Sequence, residues 1–206
     1  MPQLKFCLIL VFPLILSACA SLSKDECKLA NWEVIGYEDG NKGQSQAQIG
    51  KHRSACAKHG IAPDLAAYQQ GHQRGVRNFC NPGRGYSMGS KGIRYNGMCP
   101  KDLEPAFLTA YRAGKKVHVA RQQVKTLQNK QNKQTTELKT VKTQLRAKEG
   151  LLLSPQGSLA QKASLLLEIK DLNQRSGELA AQIKQTEKEL ALSRAKLNHA
   201  SSVTRY

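Results

Sequence analysis

The sequence predicts a mainly α-helical protein: a small disulfide-stapled helical domain followed by a long antiparallel helical hairpin, or coiled coil. Three observations carry this. Cys27, Cys56, Cys80 and Cys99 and most of the glycines fall before residue 103. From Leu103 onward the chain is rich in Lys, Gln, Leu and Ala, and its only Phe or Trp is Phe107, a composition of long helices. In that second part apolar residues recur at alternating steps of three and four, the coiled-coil signature.

The chain opens with the parts of an export signal. Lys5 supplies a positive start, Phe6 to Leu16 form an apolar run interrupted by Pro13, and Ser17 and Ala18 place small residues before Cys19. So short a run does not span a bilayer, which makes residues 1–18 a cleaved signal peptide. Leu16-Ser17-Ala18-Cys19 resembles the bacterial lipobox, and that resemblance implies a lipoprotein whose Cys19 is acylated, palmitate included. Several acyl chains together hold a protein firmly to a membrane. Ala20 after the cysteine, in place of aspartate, implies sorting to the outer membrane, facing the periplasm. The alternative is a soluble periplasmic protein in which Cys19 is incidental.

Charge is spread unevenly over the net +17. Residues 19–102 balance to +5 and residues 103–206 to +11. In the cytoplasm such a balance points to nucleic acid. Here the export signal argues against it, as do basic residues scattered along a helical pattern without stacking aromatics. Outside the cytoplasm the polyanions are lipid head groups, lipopolysaccharide and the cell wall. The plain alternative is a solvated helix surface that is basic without a partner.

With Cys7 lost in the signal and Cys19 acylated, four cysteines remain, and in an oxidising compartment they read as two disulfides. Three pairings are possible. Cys27–Cys56 with Cys80–Cys99 is favoured because each closes a short local loop. A zinc site is the rival, but closely spaced ligand pairs are missing.

After a short tether, 19–26, the cysteine- and glycine-rich domain spans 27–102. Tyrosine and glycine recur in it: Tyr37 with Gly40 and Gly43, Tyr68 with Gly71 and Gly75, Tyr86 with Gly89 and Gly92, and Tyr111 with Gly114. The copies are unevenly spaced and do not make a solenoid. Pro63 and Asp64 suit a helix start, and Leu65, Tyr68, His72, Val76 and Phe79 follow at helical spacing. Glycine lowers helix propensity by about 1 kcal/mol relative to alanine, so Gly71 and Gly75 on one stripe predict a second backbone approaching closely. The segment Asn81–Gly97, dense in glycine and proline, predicts a loop: either a turn-rich connection pinned by its cysteines or a ligand-holding loop.

Trp32 with GYEDGNKG, then HRSACAKHGIAPDLAAYQQGHQRG, FCNPGRGYSMGSKGIRYNGMCP and FLTAYRAGKK resemble one family. It is the proteobacterial lipoprotein family of domain of unknown function 2799, over about Cys27 to Lys116. The resemblance implies the same address and the disulfides. It implies no activity, substrate or catalytic residue.

Residues 103–199 predict the hairpin, with its turn near 150–157 around Pro155 and a disordered tail at 200–206. The seam runs through Val117, Ala120, Val124, Leu127, Gln131, Gln134, Leu138, Val141 and Leu145. On the return arm it takes Leu165, Ile169, Leu172, Ser176, Leu179, Ile183, Thr186, Leu190, Ser193 and Leu197. Pairs of constant index sum, 310, set the expected register: Leu145 with Leu165, Leu127 with Ile183 and Gln134 with Ser176. The alternatives are arms that pair between chains, making a homo-oligomer, or a polar seam that awaits a partner helix.

No catalytic centre stands out. His52 and His59 flank Cys56 on an expected helix face, but without an acidic or cysteine companion they suggest a surface feature rather than a metal site. Asp39, Asp64 and Asp102 form no carboxylate pair, and no serine sits in a nucleophile-elbow context. The sequence implies no enzyme, cofactor or metal. It predicts a membrane-anchored interaction or structural protein acting through the basic hairpin on an envelope protein or anionic polymer. The competing reading is a ligand-binding module built on the 81–97 loop.

Overall fold

A computed structural model describes residues 23–202 of the chain. The signal peptide expected at 1–18, the acylation expected at Cys19 and residues 203–206 lie outside them. The described residues are helical: α1 (Lys24–Leu29), α2 (Trp32–Asn41), α3 (Ile49–Ala57), α4 (Leu65–Phe79), α5 (Pro82–Lys91), α6 (Glu104–Leu153) and α7 (Leu159–Ser202). They divide into two compact units between Val76 and Arg77. The division falls inside the 27–102 segment, so the domain boundary expected at 102/103 does not coincide with it.

In the first unit, α2 and α4 cross backbone to backbone. Gly36 faces the Tyr68 carbonyl and Gly40 the His72 carbonyl, so the helices run parallel. A Cβ on Gly71 would lie 1.8 Å from the Glu33 carbonyl oxygen, and one on Gly75 2.1 Å from that of Tyr37. Only glycine admits such an approach. The Asn31 side chain caps α2 by accepting the Val34 N–H at 3.1 Å, and Asp64 caps α4 through the Ala67 N–H at 3.0 Å. The core is small: Cys27, Trp32, Ile49, Cys56 and Tyr68. The Cys27–Cys56 disulfide ties the start of the pair to α3, which carries the chain back.

The second unit repeats this device. Gly36-Tyr37-x-x-Gly40-x-Lys42-Gly43 in α2 returns in α5 as Gly85-Tyr86-x-x-Gly89-x-Lys91-Gly92. The closing glycines Gly43 and Gly92 both take left-handed backbone, φ 78° and 74°. Ala67-Tyr68-x-x-Gly71 in α4 returns in α6 as Ala110-Tyr111-x-x-Gly114. Gly89 now faces the Tyr111 carbonyl and the Lys115 N–H, contacts that Gly36 makes with Tyr68 and His72, so the second pair is slid by one helical turn. Cys80–Cys99 pins the return connection between α5 and α6. Both favoured pairings are therefore present.

The loop expected over Asn81–Gly97 is corrected: Pro82–Lys91 is helix α5. Asn81 accepts the Arg84 N–H at 2.8 Å as its cap, and proline stands where its missing N–H costs nothing. Gly85 and Gly89, weak helix formers, stand where the α6 backbone packs, against the Phe107 and Tyr111 carbonyls.

The hairpin is present as α6 and α7, joined by a turn over Ser154–Ser158 rather than the whole of 150–157. Gly157, with φ 107°, supplies the left-handed step. Ser158 and Gln161 then form a reciprocal cap, Ser158 N–H to Gln161 Oε1 at 2.8 Å and Gln161 N–H to Ser158 Oγ at 3.3 Å. The tail prediction is corrected over 200–202, which continue α7. The seam positions expected on both arms are buried or half-buried, but the register differs by roughly one heptad. Gln134, paired with Ser176 in the expected register, instead accepts from Thr186 Oγ1 at 3.0 Å and donates to Gln182 at 3.4 Å. Lys148 meets Glu168, and Arg175 meets Glu137. A heptad slip leaves an apolar seam matched, so the polar and charged pairs select the register.

The close approaches separate two kinds of glycine. Gly71→Ala and Gly114→Ala should each destabilise the fold by about 1–3 kcal/mol or more by overpacking. Gly150→Ala and Gly177→Ala, where an added Cβ meets nothing within 4 Å, should stabilise it by roughly 0.5–1 kcal/mol. Urea denaturation of the four variants checks the contrast; equal effects would contradict the backbone contact.

Candidate functional site

The described titratable side chains converge most closely in the first unit, on Asp39 of α2. One carboxylate oxygen, Oδ2, accepts from the Tyr68 hydroxyl at 2.8 Å and from His52 Nε2 at 2.8 Å. A carboxylate only accepts, so Nε2 of His52 carries a proton. Tyr68 is fully buried and His72, one turn on along α4, nearly so. His72 Nε2 donates to the Gln44 carbonyl at 2.8 Å, and its ring stacks on Tyr68 with centroids 5.9 Å apart. His52 lies tilted against Tyr68 at 6.1 Å, and Trp32 against His52 at 6.2 Å. Burial first, and then the Asp39 carboxylate, push the Tyr68 hydroxyl far above its ordinary value.

His52 therefore has the acidic companion that sequence reasoning missed. The two lie thirteen residues apart on different helices, and only the 3-10 turn Gln46–Gln48 and the start of α3 bring them together. His59 does not share the site, because α3 ends at Ala57 and His59 falls in the turn beyond. Asp64 is spent as a cap, and Asp102 pairs with Arg77 at 2.8 Å. That guanidinium holds the Asp102 carboxyl below the usual range, mainly through their hydrogen bond. The Asp39 cluster resembles a base and its orienting acid, but Tyr68 is consumed as a donor and buried out of a substrate's reach. Among the described residues, no three His, Cys, Asp or Glu side chains are disposed to hold a metal ion.

In the second unit the corresponding tyrosine, Tyr111, turns its hydroxyl to the Ile93 carbonyl at 3.0 Å. Tyr95 takes the interior place: its hydroxyl donates to Glu104 at 3.0 Å and accepts the Cys99 N–H at 2.8 Å. Its ring lies 4.9 Å from Phe107. Burial raises its ionisation above the ordinary value, with the Glu104 carboxylate adding to the shift and the Cys99 N–H opposing it.

Tyr68→Phe should cost about 1–2 kcal/mol at neutral pH, the lost hydrogen bond to a charged group. In the folded chain Tyr68 keeps its proton beyond the unfolded value of about 10, so its contribution is complete below pH ~10 and lost as pH rises above it. The stability gap between the native chain and Tyr68→Phe should thus narrow from pH 7 to pH 11 in urea titrations. A gap of constant size would contradict the buried, Asp39-bonded hydroxyl.

No curated protein and no solved structure matches the chain. Residues 31–116 match the model of a family described as Protein of unknown function (DUF2799). The matched stretch begins at the α2 cap, Asn31, and ends at Lys116 in α6, so it contains both glycine-notched helix pairs and leaves most of the hairpin outside. That stretch, under half of the 206 residues, is where the chain is similar to the DUF2799 family.

Proposed function

We propose that the chain is a membrane-anchored lipoprotein of the cell envelope that acts as an adaptor, engaging a partner protein through its hairpin. The observation that carries this is the hairpin's tip. Leu151, Leu153, Leu159, Leu166 and Leu167 are between 55% and 89% exposed there. The seam does not use them, and clustered exposed apolar side chains mark interaction surfaces. Toward the other end of α6, seven Lys/Arg and no Asp/Glu lie between Glu104 and Glu137, a surface that steers acidic partners.

The address supports the same reading. Acylation of Cys19 would fix the protein to a membrane, with the outer membrane expected from Ala20. No described helix is long and apolar enough to cross a membrane itself. The basic run also supports a second reading, contact with an anionic envelope polymer such as lipopolysaccharide or the cell wall. Of the 81–97 segment on which the ligand-binding reading rests, Pro82–Lys91 is helix α5 and 92–97 lie outside helices.

Intact mass measurement of the mature protein should give a chain beginning at Cys19 with acyl chains attached; an unmodified cysteine would overturn the anchor. Photo-crosslinkers at Leu153 and Leu159 in intact cells should capture one defined protein. Leu153→Ser with Leu159→Ser and Leu167→Ser should lower that capture by about tenfold, as loss of central apolar anchors does. Capture undiminished without residues 117–206 would sink the adaptor reading.

A further inference from the structure

A groove of about 610 Å³ opens between α6 and the later turns of α7. It exists because the seam there is closed by small side chains: Ala120 and Ser193 line it where larger residues would meet. Val119, 58% exposed, forms the apolar floor with Ala120. Around that floor stand Arg112, Lys115 and Lys116 of α6 and Lys196 of α7. The α6 positions follow helical spacing and lie on one face.

None of these four cations is ion-paired to a described residue, and no acidic side chain lines the groove. Elsewhere on the hairpin the arrangement is the opposite, with Lys148 and Arg175 each meeting a glutamate across the seam. Like charges gathered on one helix face repel, and the repulsion is relieved by an anion placed among them. The volume falls in the range of ligand sites, about 300–1,000 Å³.

We propose that this groove binds a lipid with a phosphate head, its acyl chain on Val119 and Ala120 and its phosphate among the four cations. A single carboxylate would neutralise too little of that charge, and a bare phosphate would leave the apolar floor open. The proposal goes beyond the adaptor reading, which rests on the tip leucines at the other end of α6.

The test is calorimetric titration of the purified full chain with dioctanoyl phosphatidic acid below its micelle concentration. One lipid should bind per chain. Octanoate lacks the phosphate, inorganic phosphate lacks the acyl chain, and in dioctanoyl phosphatidylcholine the choline cation cancels the phosphate charge, so each should bind at least about tenfold more weakly. Val119→Glu places a carboxylate among the cations at an exposed position and should lower affinity about tenfold. Lys115→Gln with Lys116→Gln should do the same, and Lys139→Gln with Lys142→Gln, farther along α6, should not. Circular dichroism of each variant verifies the fold. Equal binding of phosphatidylcholine or inorganic phosphate, or affinity unmoved in both groove variants, would overturn the proposal. Tip crosslinking can fail while this binding holds, and the reverse, so the two ideas fall separately.

Discussion

Backbone-to-backbone contact between parallel helices is the constraint on which both units depend. Each glycine in a helix costs roughly 1 kcal/mol of propensity, and α2 with α4 spends four at the crossing: Gly36, Gly40, Gly71 and Gly75. What offsets that cost is approach close enough for main-chain atoms to touch along the crossing, with the dispersion and weak Cα–H···O contacts that go with it. Parallel helices need a connection that returns to the starting end, and ordering that connection is entropically expensive. Each disulfide acts there: Cys27 and Cys80 stand just before the first helix of a pair, and Cys56 and Cys99 stand in the return. A core in which two of five members are the cysteines themselves cannot hold the crossing by apolar burial alone.

The hairpin is governed by a different interaction. Its apolar seam fixes which face of each helix is buried, but a seam of period seven matches itself after a slip of one heptad. In the register present, the buried layer gives Gln134 two partners, Thr186 and Gln182, whereas a slip of one heptad would place the single hydroxyl of Ser176 opposite it. Lys148 with Glu168 favours the same register. The interior polar residues, which weaken the seam, are thus the residues that specify it.

This contrast explains what was legible in the sequence. Helical periodicity disclosed α4, α6 and α7 and the seam residues, since that signal is local. The cysteine pairing followed from loop length. The register did not, because constant index sums fit equally well a heptad away. Asn81–Gly97 read as a loop because glycine and proline usually break helices, and only the partner helix shows that Gly85 and Gly89 are packing notches. The Tyr–Gly recurrence was visible, but its alternation, Gly-Tyr on one helix and Ala-Tyr on its mate, has no meaning until the pairs are known. The Asp39–His52–Tyr68 junction left no sequence signal at all, since its members come from three helices with no motif spacing.

The internal repeat also separates what the pairing needs from what each copy adds. Tyr68 and Tyr111 match in the sequence repeat, but the one-turn slide puts Phe107 against Gly85 where Tyr68 meets Gly36; Tyr68 is buried on Asp39 while Tyr111 reaches a loop carbonyl. Met88 stands where the first copy has Asp39, and Lys115 where it has His72. Because both pairs form, the carboxylate–histidine–tyrosine cluster is not required for the crossing and belongs to the first unit alone. In the second unit the one-turn slide puts Tyr111 opposite Gly89, where the first unit has His72 opposite Gly40, and leaves Lys115, one turn on, to line the α6–α7 groove. One backbone device therefore supports a closed polar interior in one copy. In the other it leads, through the unbroken helix α6, to an open cationic surface, and the chemistry available to a ligand lies in the copy whose helix continues.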